Sequence, residues 1–269
     1  MKFLKKIKES RLNLILLLLY PIVTFYLLEW FTHNPWKTMK ATPQVLNIVM
    51  FELVALLLFA LFGRLHAALM TETLFFFLYG LVNYFVLNFR SVPIQPWDLF
   101  SISTAASVAD NYEYTLDKQA LLVVIGFLVL LILEFFCRYT LKKGTWKFRI
   151  PTAAVVCALL VAFGGMFHSD EIVQQKLRLY DKLFTPTTIS FKNGTALAFV
   201  MELPYISVDK PAGSNAAAAR EALAANAQPP EAPENTPTLT VLMDEAISAP
   251  AVLPDFKHNT TSMPFILRI

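Results

Sequence analysis

The chain has 269 residues, of which 56% are hydrophobic and 23 are Phe, while its formal net charge is only +3. Soluble domains contain roughly 45–50% apolar residues, so this composition predicts an integral membrane protein. No cluster of basic residues interleaved with aromatics lies outside the apolar stretches, which argues against nucleic acid as a partner. Cys137 and Cys157 both fall in apolar stretches, so neither a disulfide framework nor a cysteine metal site is expected.

Five apolar stretches are long enough to cross a membrane, since a helix needs about 20 apolar residues to span the hydrocarbon core. They cover residues 12–31, 45–62, 67–87, 119–137 and 150–167. The first is not a cleaved signal peptide, because its apolar region is too long, no small-residue cleavage site follows, and four further stretches come after it. The pattern predicts a five-span transmembrane domain over residues 1–167.

Basic residues in the short connections predict the orientation of this domain, because cationic loops stay on the cytoplasmic side. Five Lys and Arg residues precede the first stretch, and five more lie between residues 138 and 149. Both segments are therefore predicted to be cytoplasmic. Trp30, Trp36 and Trp97 fall at the predicted outer surface, where an aromatic belt is expected. The sequence predicts a multi-pass protein of the cell membrane with a cytoplasmic N-terminus and an extracellular C-terminal tail.

Three carboxylates lie in or near the predicted spans, where charge is costly and often functional. Glu52 is expected in the outer half of the second span, and Glu72 and Glu134 nearer the inner face. These different depths argue against a shared ion site, and the spacing of Glu134 and Arg138 predicts a side-chain pair. Two interpretations stay open: carboxylates satisfied by neighbouring helices or by snorkelling, and a proton or ion pathway.

The outer loop over residues 90–118 is the first segment with a specific pattern. Pro93 and Pro96 predict an extended entry, because proline fixes φ and provides no amide donor. Asp98, or Ser101 one turn later, is then expected to cap a short helix in the membrane interface. The loop is either a wedge that joins two spans or a platform where lipid headgroups or a catalytic domain dock.

Beyond the fifth stretch, the composition divides the chain into three segments. Residues 168–211 predict an extracellular juxtamembrane helical segment, with helices over 171–184 and 196–203. Residues 212–236 are rich in Ala and Pro and predict a linker with a short helix near 216–225. Residues 237–269 begin with a strand-like run over 239–243.

Asp244 and Glu245 follow that strand-like run directly. Ligands of open α/β sheets bind at the carboxyl ends of strands, and a carboxylate placed there can hold a divalent cation. A turn or a helix cap is the alternative for a single acid in this position.

The order and spacing of three segments resemble the lipoteichoic acid synthase family, the membrane-anchored phosphoglycerol transferases of the alkaline phosphatase and sulfatase superfamily. These segments are PIQPWDLF at 93–100, the run 193–213, and VLMDEA at 241–246, and they follow the five spans. The resemblance implies an extracellular catalytic domain, a manganese-type divalent ion, a threonine nucleophile, and phosphatidylglycerol as the donor lipid. It assigns Glu245 as a metal ligand. Asp244 stands where Asn is common in the family, and Ile247 where an aromatic residue is common.

The expected fold is mainly α: a five-helix transmembrane domain, a juxtamembrane helical segment, and only the first strand of an α/β sulfatase-like domain. In the family, the nucleophile and the Asp and His ligands follow well after this glutamate, and Thr260 and Thr261 lie too close to it to match. These 269 residues are therefore expected to be catalytically inert and to bind the divalent ion only weakly. Two functions stay open: the membrane-anchoring region of a phosphoglycerol transferase, and a non-catalytic membrane module that binds lipid or a partner protein.

The predicted orientation can be tested by labelling single cysteines in a variant that lacks Cys137 and Cys157. An impermeant thiol reagent added outside cells should modify Ala217→Cys and leave Gly144→Cys unmodified until the membrane is opened. Modification of Gly144→Cys in intact cells would contradict the orientation.

Overall fold

A computed structural model describes residues 2–103, 107, 114–141, 145–182, 184–207 and 216–225. The described residues are mainly helical and contain no β-strand, which confirms the predicted helical class for this part of the chain. The strand predicted over 239–243 lies outside the described residues. The chain divides into two compact units, Met1–Asp209 and Lys210–Ile269. Of the second unit, the structure describes one helix over Ala216–Ala225, where the sequence predicted one.

The five predicted spans are confirmed as apolar helices that are long enough to cross a membrane. Most helix boundaries fall within a few residues of the hydropathy prediction. The helices are α1 (Lys2–Trp30), α3 (Ala41–Phe62), α4 (Leu65–Arg90), α5 (Lys118–Phe135) and α6 (Trp146–Gly165). A single helical turn, α2 (Pro35–Thr38), joins α1 to α3.

Helices α1, α3, α4 and α5 pack around a core of phenylalanine rings. The Phe51 and Phe76 rings stack with their centroids 3.9 Å apart, and Phe31 stacks on Phe127 at 5.7 Å. A Cβ atom at Gly80 would lie 2.7 Å from the Leu28 side chain, so glycine lets α4 approach α1 closely. Between spans, close packing supplies much of the association energy, because lipid tails are as apolar as the side chains.

The end of α3 contacts the first turn of α6. Gly63 ends α3 in the left-handed conformation, with φ of +65°. The Arg149 guanidinium donates to the terminal carbonyls of α3, at 2.8 Å from Ala60 O and also to Leu61 O. A basic side chain that satisfies the last carbonyls of a helix also complements the helix dipole. Arg149 therefore fixes the start of α6 against the end of α3.

At the other end of the bundle, residues 91–102, 166–182 and 184–206 form a layer that we call the cap. It consists of short helices and turns. They are 3₁₀ turns over Pro96–Ser101, Met166–His168 and Leu203–Ile206, a π-helical turn over Glu171–Lys176, and two helices, α7 (Pro186–Asn193) and α8 (Thr195–Glu202).

The predicted helix over 171–184 is wrong beyond Lys176. Arg178 adopts a φ of +51°, and residues 177–182, 184 and 185 are not helical. The Asn193 side chain accepts from Tyr180 N at 3.1 Å and donates to Tyr180 O at 2.5 Å. These bonds satisfy the Tyr180 backbone without a helix. The helix predicted over 196–203 is confirmed as α8. Helix α7 was not predicted, although Pro186 at its first position is a common start signal.

Candidate functional site

Glu245, the metal ligand that the sequence predicted, lies outside the described residues, together with Asp244, Thr260 and Thr261. Among the described residues, no group of three or more His, Cys, Asp or Glu side chains is placed to hold a metal ion. A divalent ion takes several ligands, and the described residues do not supply such a set. The candidate site that the structure does describe is the junction between the bundle and the cap.

Glu29, in the last turn of α1, is completely buried at this junction. Its carboxylate accepts two bonds from Thr195 N, at 2.8 and 3.1 Å, and one from Thr195 Oγ1 at 3.0 Å. Thr195 is the first residue of α8, where amide N–H groups have no partner within the helix. A carboxylate is favoured there because the helix dipole is positive at its N-terminus. The first span therefore caps a helix that lies 166 residues further along the chain.

Asn47 of α3 is a second buried polar contact between the bundle and the cap. Its Nδ2 donates to Pro43 O at 2.8 Å and to Asn193 O at 2.7 Å, and its Oδ1 accepts from Leu197 N at 3.2 Å. Tyr79 of α4 adds a bond from its hydroxyl to Thr195 O at 3.3 Å. Each of α1, α3 and α4 thus contributes one polar side chain to the α7–α8 turn.

Gly194 joins α7 to α8 in a conformation that favours glycine, with φ of +95° and ψ of 145°. A Cβ atom here would lie only 2.5 Å from Asn47 Nδ2. Glycine is needed for two reasons, the backbone conformation and the close approach of α3.

His33 covers the same junction, with its ring stacked on Phe191 at 4.8 Å between centroids. Burial lowers the pKa of His33 to about 4, so the imidazole is neutral at physiological pH. Its Nε2 lies 3.5 Å from Glu29 Oε2, and this contact is therefore not an ion pair at neutral pH.

Arg90, the last residue of α4, organises the outer loop. Its guanidinium donates to both Asp98 oxygens, to Pro93 O at 2.8 Å and to Val92 O at 3.2 Å. Asp98 Oδ2 also accepts from Gln95 N at 2.7 Å. The capping role of Asp98 is confirmed, but the turn begins earlier than predicted, with Gln95 at the N-cap and Asp98 at the third position. Burial by itself would raise the pKa of Asp98, but the bonds from Arg90 and Gln95 and the Arg90 charge hold it below its usual value.

The cap also contains a small cleft that is partly open to solvent. Three carboxylates line the cleft beside apolar side chains: Asp170, Asp181 and Glu202. Asp181 accepts from Gln174 Nε2 at 2.6 Å. Burial raises the pKa of Glu202 to about 7, a bond from Gln95 opposes this shift, and the Asp98 charge adds to it.

Comparison with known proteins gives one informative similarity. The chain is 28% identical over 235 residues, 83% of its length, to a Rhizobium meliloti (strain 1021) protein named "Putative cyclic beta-1,2-glucan modification protein". The chain spans about a third of that protein's length, since the similar region is 36% of it. No family profile and no solved structure matches the chain.

Sequence reasoning missed the three side chains that hold the junction, Glu29, Asn47 and Tyr79. Each lies in a predicted span, and Glu29 sits one helical turn before His33, a spacing at which side chains meet. The partners of all three lie in residues 193–197, which no local pattern connects with the spans. The sequence also predicted a Glu134–Arg138 pair, which is wrong: α5 ends at Phe135, Glu134 accepts from Thr73, and the Arg138 guanidinium lies over the Phe135 ring.

Replacing Gly194 tests the junction. Gly194→Ala should lower the free energy of unfolding by about 1–3 kcal/mol, because alanine is strained at this φ and its methyl group contacts Asn47. Gly165→Ala is the matched control, since a Cβ atom there would meet nothing within 4 Å. Thermal unfolding of both variants in detergent measures the difference, and equal midpoints would contradict the close approach of α3 to Gly194.

Glu202 predicts a pH dependence of the cap. Because its folded pKa is raised, its contribution to stability is present below the ordinary glutamate pKa of about 4.3. The contribution is lost as the pH rises through about 7. Glu202→Gln should therefore reduce the fall in thermal midpoint between acidic and slightly alkaline pH. Glu171→Gln, which removes an exposed carboxylate, should leave that fall unchanged. An unaltered profile in Glu202→Gln would contradict the assignment.

Proposed function

We propose that this chain is the membrane-anchoring region of an enzyme of the cell envelope that transfers phosphoglycerol to a glycan. The observation that carries the proposal is the similarity over 235 residues to a protein named for the modification of a cyclic glucan. The five apolar helices support the anchoring role. The resemblance to phosphoglycerol transferases through residues 93–100, 193–213 and 241–246 supports the reaction class.

The structure supports a specific role for two of these three segments. Asp98 in the first closes the outer loop through Arg90, and Gly194 in the second lies against Asn47. Both segments therefore build the cap, the part of the described chain that would face a donor lipid and a glycan acceptor at the outer surface. In this proposal phosphatidylglycerol is the donor lipid, and Glu245 contributes to a manganese-type site. The other ligands of that site have no counterpart among these 269 residues.

The alternative is a membrane module without a catalytic role that binds lipid or a partner protein. One observation favours it: the outer loop exposes a row of apolar side chains, with Phe100 76% exposed. The other members of the row are Trp97, Leu99 and Ile102. Such a surface suits insertion at a membrane interface.

A chimera distinguishes the two functions. The stretch of the Rhizobium meliloti protein that aligns with this chain is replaced by this chain, and modification of cyclic beta-1,2-glucan is measured in a strain that lacks the native gene. The anchoring proposal expects modified glucan from this chimera and a strong loss from the same chimera with Gly194→Ala. A third chimera, with an unrelated five-span protein in the same place, should be inactive.

Membrane fractionation shows which chimeras insert. An inserted and stable chimera that modifies no glucan would contradict the anchoring proposal and favour the membrane module. Equal activity with the unrelated spans would show that the cap has no specific role.

The 269-residue protein by itself should not release glycerol phosphate from phosphatidylglycerol vesicles supplied with manganese, because it has no match to the threonine nucleophile of the family. The protein for this assay is made in a host without related enzymes. Turnover that Glu245→Ala abolishes would contradict this expectation.

A further inference from the structure

Two carboxylates, Glu72 of α4 and Glu134 of α5, are buried together between the spans. Glu72 is 1% exposed and Glu134 is fully buried. The two carboxylates are close enough for their charges to repel, and Glu52 of α3 also repels Glu72. The sequence placed Glu52 at a different depth and argued against a shared site; the structure brings Glu72 and Glu134 into one cluster.

The cluster lies between the spans, toward the end of the bundle opposite the cap. Thr73, next to Glu72, is 3.1 Å from Thr24 of α1 between the two hydroxyl oxygens. Cys137, just after α5, contacts the Tyr20 hydroxyl of α1 at 3.8 Å. Tyr20 and Thr24 belong to the span over Leu12–Trp30, and Glu134 lies one residue before the end of α5.

A chain of hydroxyl groups leads to one Glu134 oxygen. Thr73 Oγ1 is 2.6 Å from Glu134 Oε1, and Thr24 Oγ1 is 3.1 Å from Thr73 Oγ1. Thr73 donates to Glu134 when that carboxyl group is ionised, and a protonated Glu134 can donate to Thr73 over the same distance. Both protonation states of Glu134 therefore keep this hydrogen bond.

The other oxygens of the pair have no partner. Glu134 Oε2 and Glu72 Oε1 are buried, and neither forms a hydrogen bond among the described residues. Among the described residues, neither carboxylate forms an ion pair, and the Arg138 guanidinium lies over the Phe135 ring. Two uncompensated negative charges in an apolar bundle would cost several kcal/mol each. A proton or a cation bound at these oxygens would remove that cost.

The surroundings favour a proton over a metal ion. Hard divalent cations take about six or more oxygen ligands. The cluster offers two carboxylates and two hydroxyl groups. No three-residue metal group occurs among the described residues. A proton, by contrast, needs one carboxylate oxygen, and two are available.

We propose that Glu72 and Glu134 form an intramembrane proton-binding site, which holds at least one proton at neutral pH. The other titratable groups that face the pair are Tyr20 of α1, Glu52 of α3 and Cys137 after α5. None of these is a cation at any pH, so none of them can replace the proton. The site is independent of the proposed function, since it involves no residue of the cap.

Carbodiimide labelling of the unaltered full chain in lipid nanodiscs tests the proposal. A hydrophobic carbodiimide reacts with protonated carboxyl groups in apolar surroundings, and mass spectrometry locates the modified residue. At neutral pH, labelling of Glu72 or Glu134 should exceed that of Glu171 at least about tenfold, because an exposed carboxylate in water is almost fully ionised. Labelling should fall as the pH is raised.

Infrared difference spectra supply a second measurement. A protonated-carboxyl band should be weaker in Glu72→Gln or Glu134→Gln than in the unaltered protein at neutral pH, and Glu171→Gln should leave it unchanged. Labelling of Glu72 and Glu134 no stronger than that of Glu171 would overturn the proposal. A second result would also overturn it: sodium but not choline raises the thermal midpoint, and the infrared bands of Glu72 and Glu134 are those of ionised carboxylates. The site would then hold a metal cation.

Discussion

The buried contact between Glu29 and the first turn of α8 is the interaction on which the rest of the cap depends. A buried carboxylate is costly without donors, and a buried helix N-terminus is costly without acceptors. Glu29 and Thr195 remove both costs through three hydrogen bonds. Breaking the contact would leave the Glu29 carboxyl group and the amide and hydroxyl groups of Thr195 without these partners. The end of the first span and the start of α8 are therefore held as one unit.

Other parts of the cap follow from this contact. With α8 fixed, Gly194 must pass close to Asn47, and α7 takes its place beside α2. Helix α8 and the 3₁₀ turn after it then pack against the outer loop that Arg90 organises. The acidic cleft forms between these short elements and is lined by Glu202 at the end of α8.

The buried carboxylates of the bundle have two different environments. Glu29 lies at the edge of the bundle and is satisfied by donors from the cap, so it has a structural role. Glu72 and Glu134 lie between the spans, and each keeps one oxygen without a partner among the described residues. The difference comes from position: a helix terminus can supply amide donors, whereas the interior of a bundle offers only side chains. The pair between the spans therefore lacks the donors that Glu29 has.

The sequence by itself determined the five spans and the short helix over Ala216–Ala225. Both depend on the hydropathy or composition of consecutive residues, which can be read directly from the chain. It also placed Asp98 in a capping role, since the two prolines before it restrict the local backbone. Only the tertiary structure decided that Glu29 and Asn47 meet residues 193–197, that the chain leaves the helix after Lys176, and that Glu134 bonds Thr73 rather than Arg138. These contacts join residues from 13 to 166 positions apart. No periodicity connects such residues, and the packing of whole helices brings them together.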